Sequence, residues 1–422
     1  MGRVRLPRAF AGLPRLFWRL WLACLINRLG TFVVPFLALF LGSGRGLAPS
    51  VVGVVVGAFG AGAMVGGPTG GTLADRIGRR RTVALGVSVS LVAIAVLLAA
   101  RGAVDLAVGA FLLGLGHELP RPAQSAILAD LVPAQDRARA YAALYWAANL
   151  GVALAGLVAG VAASASFTVL FVLDGLTSVL AGGLVLFGLP ETLPEHGAHA
   201  RRSVLVDLAV PFRDPSFVGF FAITVLVALV FSQFHVAMPL DLGAHGLGPG
   251  AYGLLVSINA ALIVVAQPFA GPLVERLPRR AGLALGAALQ GAGFGLLGVG
   301  HTMAWAALAI VVLTLGEMVL APLHPAVVAE LAPSHLRGTY QGAFNLSLST
   351  AACVAPVVGS VVLESAGGGV LWGGCFALGL VAAPGARRRP RAPGRNIRPT
   401  TRRHRPTRAP RSPPPARHTP RC

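Results

Sequence analysis

The residues able to do chemistry in this chain are ionisable and amide side chains set deep in apolar runs. Arg28 stands beside Asn27; His117, Glu118 and Arg121 fall within one stretch; Gln233 and His235 share another; Glu317 and His324 share a fourth; Asp174 stands apart. A charge at membrane depth costs roughly 2.5 to 3.5 kcal/mol on insertion scales, so each needs a partner, a wet cavity or a task. Glu118 and Arg121 are three residues apart and share a helix face. A structural ion pair near Arg28 and a functional role therefore stand level as readings of that pair. The chemistry open to the carboxylates is proton exchange, because desolvation favours the neutral acid and a neighbouring arginine favours the ionised one. Glu317 has no basic residue within a turn and is the freer to take up a proton. The coupling role is divided between Glu118 and Glu317, with Asp174, shallow enough to reach water, as a third candidate.

The elements that must hold these groups are long apolar segments. Of 422 residues, 55% are hydrophobic and 12% charged, about half the charge content of an average soluble protein. Runs of roughly 20 apolar residues predict helices over 17–41, 50–73, 82–100, 104–130, 138–163 and 167–188. A second set follows over 216–238, 250–274, 281–299, 303–330, 338–363 and 367–383, the last short enough to be read as incomplete. The predicted fold is thus an all-α membrane protein of twelve transmembrane helices. The first, fourth, seventh and tenth segments carry nearly all the deep polar groups, a distribution that suits a transport pathway.

The predicted organisation is a basic N-terminus (1–16), a six-helix bundle (17–188), a linker (189–215), a second six-helix bundle (216–383) and an Arg/Pro-rich tail (384–422). Short loops on one side receive almost all the arginines outside the tail, which places that side and both termini in the cytoplasm. The N-terminal apolar run is too long for a cleaved signal peptide and reads as the first helix. The linker histidines His196 and His199 lack acidic or cysteine partners at ligand spacing, so no metal site is expected. The four cysteines, Cys24, Cys353, Cys375 and Cys422, form no ligand or CxxC spacing.

The net charge of +20 invites a nucleic-acid reading, but thirteen of the 35 arginines follow Pro384, leaving +7 on the body. That tail has no aromatic residue on which a base could stack. A lipid-attracted anchor, a nucleic-acid arm and out-of-frame translation compete for it; the last is favoured, and no nucleic acid is expected as a partner.

The loop Gly71-Thr72-Leu73-Ala74-Asp75-Arg76-Ile77-Gly78-Arg79-Arg80-Arg81 is repeated at an offset of 200 residues. Gly71, Leu73, Arg76, Arg79 and Arg80 return as Gly271, Leu273, Arg276, Arg279 and Arg280, with Glu275 for Asp75. The register persists from Leu115, Gly116, Pro122 and Ala126 to Leu315, Gly316, Pro322 and Ala326, and Glu330 answers Asp130. A parallel repeat implies a pseudo-two-fold axis along the membrane normal, with the substrate path between the halves.

This loop resembles the G-x-L-A-D-R-x-G-R-R signature of the major facilitator superfamily. Arg121-Pro122-Ala123 followed by Ala129-Asp130-Leu131-Val132-Pro133 resembles the fourth-helix pattern of its bacterial drug:proton antiporters. The resemblance implies two pseudo-symmetric bundles whose first, fourth, seventh and tenth helices line a central cavity. Asn27, Arg28, His117, Arg121, Gln233, His235 and His324 become cavity candidates. It also implies a latch from Gly71, Asp75, Arg76, Gly78, Arg79, Arg80 and Asp130. Asp75 would cap the helix that starts near Gly338, and Arg79 would pair with Asp130. The branch's G-P-x-x-G-G pattern is missing after Asn149-Leu150-Gly151, where Gly156 and Gly160 stand without proline.

The resulting expectation is a proton-coupled exporter of amphipathic small molecules or drugs in the plasma membrane. It works as a monomer, in contact with lipid, without a cofactor, and with apolar walls drawn from Phe32, Phe36, Trp146, Phe231 and Phe234. The alternatives are transport of another small metabolite and an inactive or receptor-like member of the same fold. An enzyme is not expected, since there is no nucleophile elbow, metal constellation or nucleotide loop.

Overall fold

A computed structural model describes residues 12–30, 33–133, 136–192, 209–333 and 336–385. Phe32, His196, His199 and the tail beyond Gly385 lie outside them, as do the side chains of Gly271, Glu275, Arg337 and Gly338. All regular structure among the described residues is helical. Nine of these segments are long and apolar enough to cross a membrane, which makes this a multi-pass membrane protein.

The first half contains α1 (Arg15–Leu29), α2 (Val33–Leu39), α3 (Pro49–Arg76), α4 (Arg79–Ala99), α5 (Ala103–Glu118), α6 (Pro120–Leu131), α7 (Arg137–Ala165) and α8 (Phe167–Gly188). The second contains α9 (Pro215–Ser232), α10 (Ala237–Ala244), α11 (Pro249–Glu275), α12 (Arg279–Leu297), α13 (Met303–Leu331) and α14 (Arg337–Gly385). Several starts are dictated locally. Ser166, Asp214 and Thr302 each accept a backbone N–H of the first turn that follows, the standard remedy for unpaired amides at a helix N-terminus.

The first and seventh predicted segments are interrupted, and the eleventh and twelfth run together. The first helix stops at Leu29 and resumes as α2, which passes into a π turn over Phe40–Gly44. The seventh breaks at the 3-10 turn Gln233–His235 before α10. The eleventh and twelfth are joined at Gly367, whose φ of +82° lets the chain turn within a single residue. The segment predicted as short and incomplete is helical as far as Gly385.

Among the described residues the halves share a core at only one end. There Phe36, Leu39, Ala155 and Ala159 pack with Met238, Tyr252, Leu255, Phe294 and Trp372. Two close backbone approaches make this possible. A Cβ on Gly253 of α11 would collide with the Gly156 carbonyl and with Gly160 of α7. Gly53, Gly57 and Gly60 of α3 lie against α14 between Ala352 and Ser360. The backbone N–H of Ser50 also donates to Glu364 at 2.7 Å across the halves. At the arginine-rich end the cores are separate: Phe17, Ala74, Ile127 and Val185 within the first half, and Phe217, Phe220, Tyr340 and Phe344 within the second. The protein is therefore closed at the end away from the arginine loops and parted at the end that carries them.

Candidate functional site

Three polar clusters emerge, one in each half and one at the arginine-rich end. In the first half, α1 supplies Asn27 and Arg28, α5 and α6 supply His117 and Arg121, and α8 supplies Asp174. All five line a cavity of about 60 Å³, room for a few water molecules. Glu118 joins them through Arg121 at 3.2 Å and His117 Nδ1 at 3.4 Å. Asp174 accepts the Val33 N–H at 3.4 Å, bracing the restart of the first segment after its break. The cavity also touches Val83, Ser90 and Ser178, so it lies among the helices of the first half.

In the second half Glu317 has different company. The side-chain amide of Asn259 on α11 donates to Glu317 Oε2 at 3.0 Å and to Thr314 Oγ1 at 2.9 Å. The Thr314 hydroxyl donates in turn to the Ile310 carbonyl at 2.6 Å. Across the parting, Tyr145 of α7 lies close enough for the Glu317 charge to act on it, and Tyr145 is 44% exposed. Among the described residues no cation pairs with Glu317. Sequence reasoning missed Asn259, Thr314 and Tyr145. An amide in the largely apolar stretch 250–263 was the available signal for the first, whereas a lone tyrosine or threonine in a membrane helix carries none.

The other second-half candidates are dispersed. Gln233 donates to the Ala355 carbonyl at 3.0 Å and presses on Gly359, tying the break in the seventh segment to α14. His235 sits edge-on to Phe231 and Phe234, its Nδ1 buried without a partner. His324 lies between Phe220 and Phe344, 6.0 and 5.7 Å away. Of the expected apolar walls, Phe36 and Phe234 are buried in the core that the halves share, while Trp146 stacks on Trp21.

At the arginine-rich end the loop is ordered from a distance. Gly78, with φ of +102°, forms the N-cap of α4. A side chain there would meet the Glu191 carboxylate, which accepts the backbone N–H groups of Arg79 at 3.0 Å and Arg80 at 3.2 Å. A carboxylate at this position satisfies unpaired amides and the positive end of the helix dipole together. Arg79 is buried. It pairs with Asp130 and donates to Thr192 at 2.7 Å and 3.1 Å, while Arg80 reaches the Leu186 carbonyl. The equivalent pair 200 residues on, Arg279 with Glu330, is 3.1 Å apart and exposed. Asp75 and Arg76 are exposed, and no bond reaches Asp75 among the described residues. Glu191 and Thr192 read as linker from sequence; an acid and a hydroxyl right after an apolar helix, facing an arginine loop, were the clue.

With this architecture in view, the family model described as Major Facilitator Superfamily matches residues 20–243 and again 220–417. The chain belongs to the major facilitator superfamily. It is a transporter of that superfamily and not an enzyme. It is 27% identical to the MFS-type transporter YttB of Bacillus subtilis, over 84% of this chain and 90% of that one. It is 26% identical to the multidrug resistance protein MdtH of Aeromonas hydrophila, over 79% and 83%. The fold is shared with a solved structure of the nucleoside transporter NupG, at a TM-score of 0.76 and 13% identity, over 88% and 99% of the chains.

Proposed function

We propose that this superfamily member is a proton-coupled secondary active transporter that exports amphipathic small molecules or drugs by alternating access. In this reading twelve membrane helices form two six-helix bundles, 17–188 and 216–383, in the plasma membrane with both termini cytoplasmic. The proton gradient supplies the energy, no cofactor is needed, and a monomer suffices. Likeness to MdtH, a multidrug resistance protein, supports the drug branch. The parted arginine-rich end then corresponds to a cytoplasm-facing state.

The observation that carries the proposal is the setting of Glu317. It is held at one oxygen by Asn259 of a neighbouring helix and lies within electrostatic reach of Tyr145 in the other half, with no cation paired to it among the described residues. Glu118 already has Arg121 and His117 within 3.4 Å. Glu317 can therefore gain and lose a proton without breaking an ion pair. When the cleft faces outward, the carboxylate takes a proton from water. The neutral form permits return to the inward state, where entry of substrate favours release of the proton to the cytoplasm. Arg28, His117, Arg121 and Asp174, with Glu118, then act as a polar brace of the first half.

Everted vesicles carrying fluorescent amphipathic dyes test this. One proton moving down 100 mV supplies about 2.3 kcal/mol, roughly a 50-fold concentration ratio. Glu317→Gln keeps an acceptor for Asn259, so the fold is preserved while proton-driven accumulation is lost and dye exchange at equilibrium persists. Glu118→Gln is expected to retain coupling. Full accumulation by Glu317→Gln would refute the assignment.

A further inference from the structure

At the end where the halves touch, ligand-type side chains from two separate stretches converge. Asp241 on α10 and His245 just beyond it are one helical turn apart, and His301 lies in the turn between α12 and α13. One ligand atom from each lies within 4.8 Å of those of the other two. The imidazoles of His245 and His301 stack with centroids 3.7 Å apart and planes 5° from parallel.

The support around them is oriented. Asp241 is buried, and its Oδ2 accepts the Trp372 indole N–H at 2.8 Å. Oδ1 is left on the histidine side, 3.7 Å from His245 Nδ1. Only a glycine fits beside that carboxylate, because a Cβ on Gly368 would stand 2.6 Å from Oδ1. His245 Nδ1 lies 2.8 Å from the Asp241 carbonyl. A donor bond there fixes the tautomer and leaves Nε2 as a free lone pair. Both imidazoles are exposed, and the His301 ring can turn to bring its donor toward the other two.

We propose that Asp241, His245 and His301 bind a divalent transition-metal ion, with Zn²⁺ the best match. Two imidazoles and one carboxylate suit zinc and leave a fourth, open position. An indole donor holding the carboxylate is the outer support that such ligands need. The site lies apart from Glu317, so the ion is a fastener and not cargo. What it fastens is α10, which packs on the first half: Leu240 fills the space beside Gly42, and Met238 and Leu242 share a core with Phe36 and Leu39. Bound metal ties α10 to the 298–302 turn and stiffens the wall that closes this end.

The full chain, purified through a tag without histidine and stripped with chelator, is titrated with Zn²⁺ by calorimetry and with Co²⁺ by visible absorption. Ten histidines are present in the sequence, so binding is read as the difference between wild type and variants. One equivalent is expected to disappear in His301→Ala and in Asp241→Asn, together with an intense tetrahedral Co²⁺ band. Trp372→Phe is expected to weaken that equivalent by about 10-fold or more. Asp241→Asn keeps an acceptor for Trp372, and His301 is a loop residue, so equal metal-free melting of the variants separates lost ligation from lost fold. Hydrogen exchange over 237–247 is expected to slow with Zn²⁺ in wild type and not in His301→Ala. Equal stoichiometry in wild type and both variants, no binding at all, or unchanged exchange in wild type would each overturn the proposal.

Discussion

Removing Asp130 is expected to cost far more than removing its counterpart Glu330, although both acids pair with the arginine of the same repeated loop. The Arg79 and Asp130 side chains are 9% and 36% exposed; those of Arg279 and Glu330 are 41% and 57% exposed. An exposed pair contributes about 0 to 1 kcal/mol, whereas stripping the partner from a buried charge costs about 3 to 5 kcal/mol. Asp130 is partly wetted, and Arg79 keeps its two bonds to Thr192, so Asp130→Ala falls below that range, at about 2 kcal/mol. Glu330→Ala is expected to stay within about 0.5 kcal/mol of wild type. Reversible denaturation in detergent, followed by helical circular dichroism, measures both. High salt should shrink the Glu330 effect further and leave the Asp130 effect largely intact, because solvent ions screen the exposed pair more. Equal losses in the two variants would refute the claim that burial, and not the loop motif itself, sets the strength of these pairs.

Glu191→Gln keeps an acceptor for one backbone amide but removes the charge at the start of α4; a loss of about 0.5 to 1 kcal/mol in the same denaturation assay is expected. Gly253→Val forces a side chain between α7 and α11, where the Gly156 carbonyl and Gly160 leave no room. The halves should part at that end and close at the other. In a cysteine-free background, a cysteine replacing Tyr145 then reacts more slowly with a polar maleimide in Gly253→Val than without it.

Much of this protein was legible along one dimension. Span length, arginine bias and the 200-residue repeat are properties of consecutive residues. They therefore yield a multi-pass membrane protein and its superfamily before any contact is known. The repeat even aligned Arg79 and Asp130 with Arg279 and Glu330. Periodicity could not show the breaks at Leu29 and Gln233, because an interrupted helix stays apolar on both sides of the interruption. Nor could it show that Gly367 alone makes the last turn, since a residue's φ depends on what the flanking helices pack against.

The tertiary structure decided the partners and the state. Asn259 reaches Glu317 from another helix, 58 positions away, and Glu191 caps α4 from 112 positions downstream of Arg79. Tyr145 lies within electrostatic reach of Glu317 from the opposite half. Asp241, His245 and His301 meet only because α10 and the turn before α13 end on the same side. Hydropathy and charge are nearly additive along a chain and survive without knowing the fold. Hydrogen bonds, burial and ligand convergence depend on ångström separations between helices that sequence does not contain. The arginine loop thus told by itself what kind of machine this is. The paired and separate cores of the two halves told which end of it stands open.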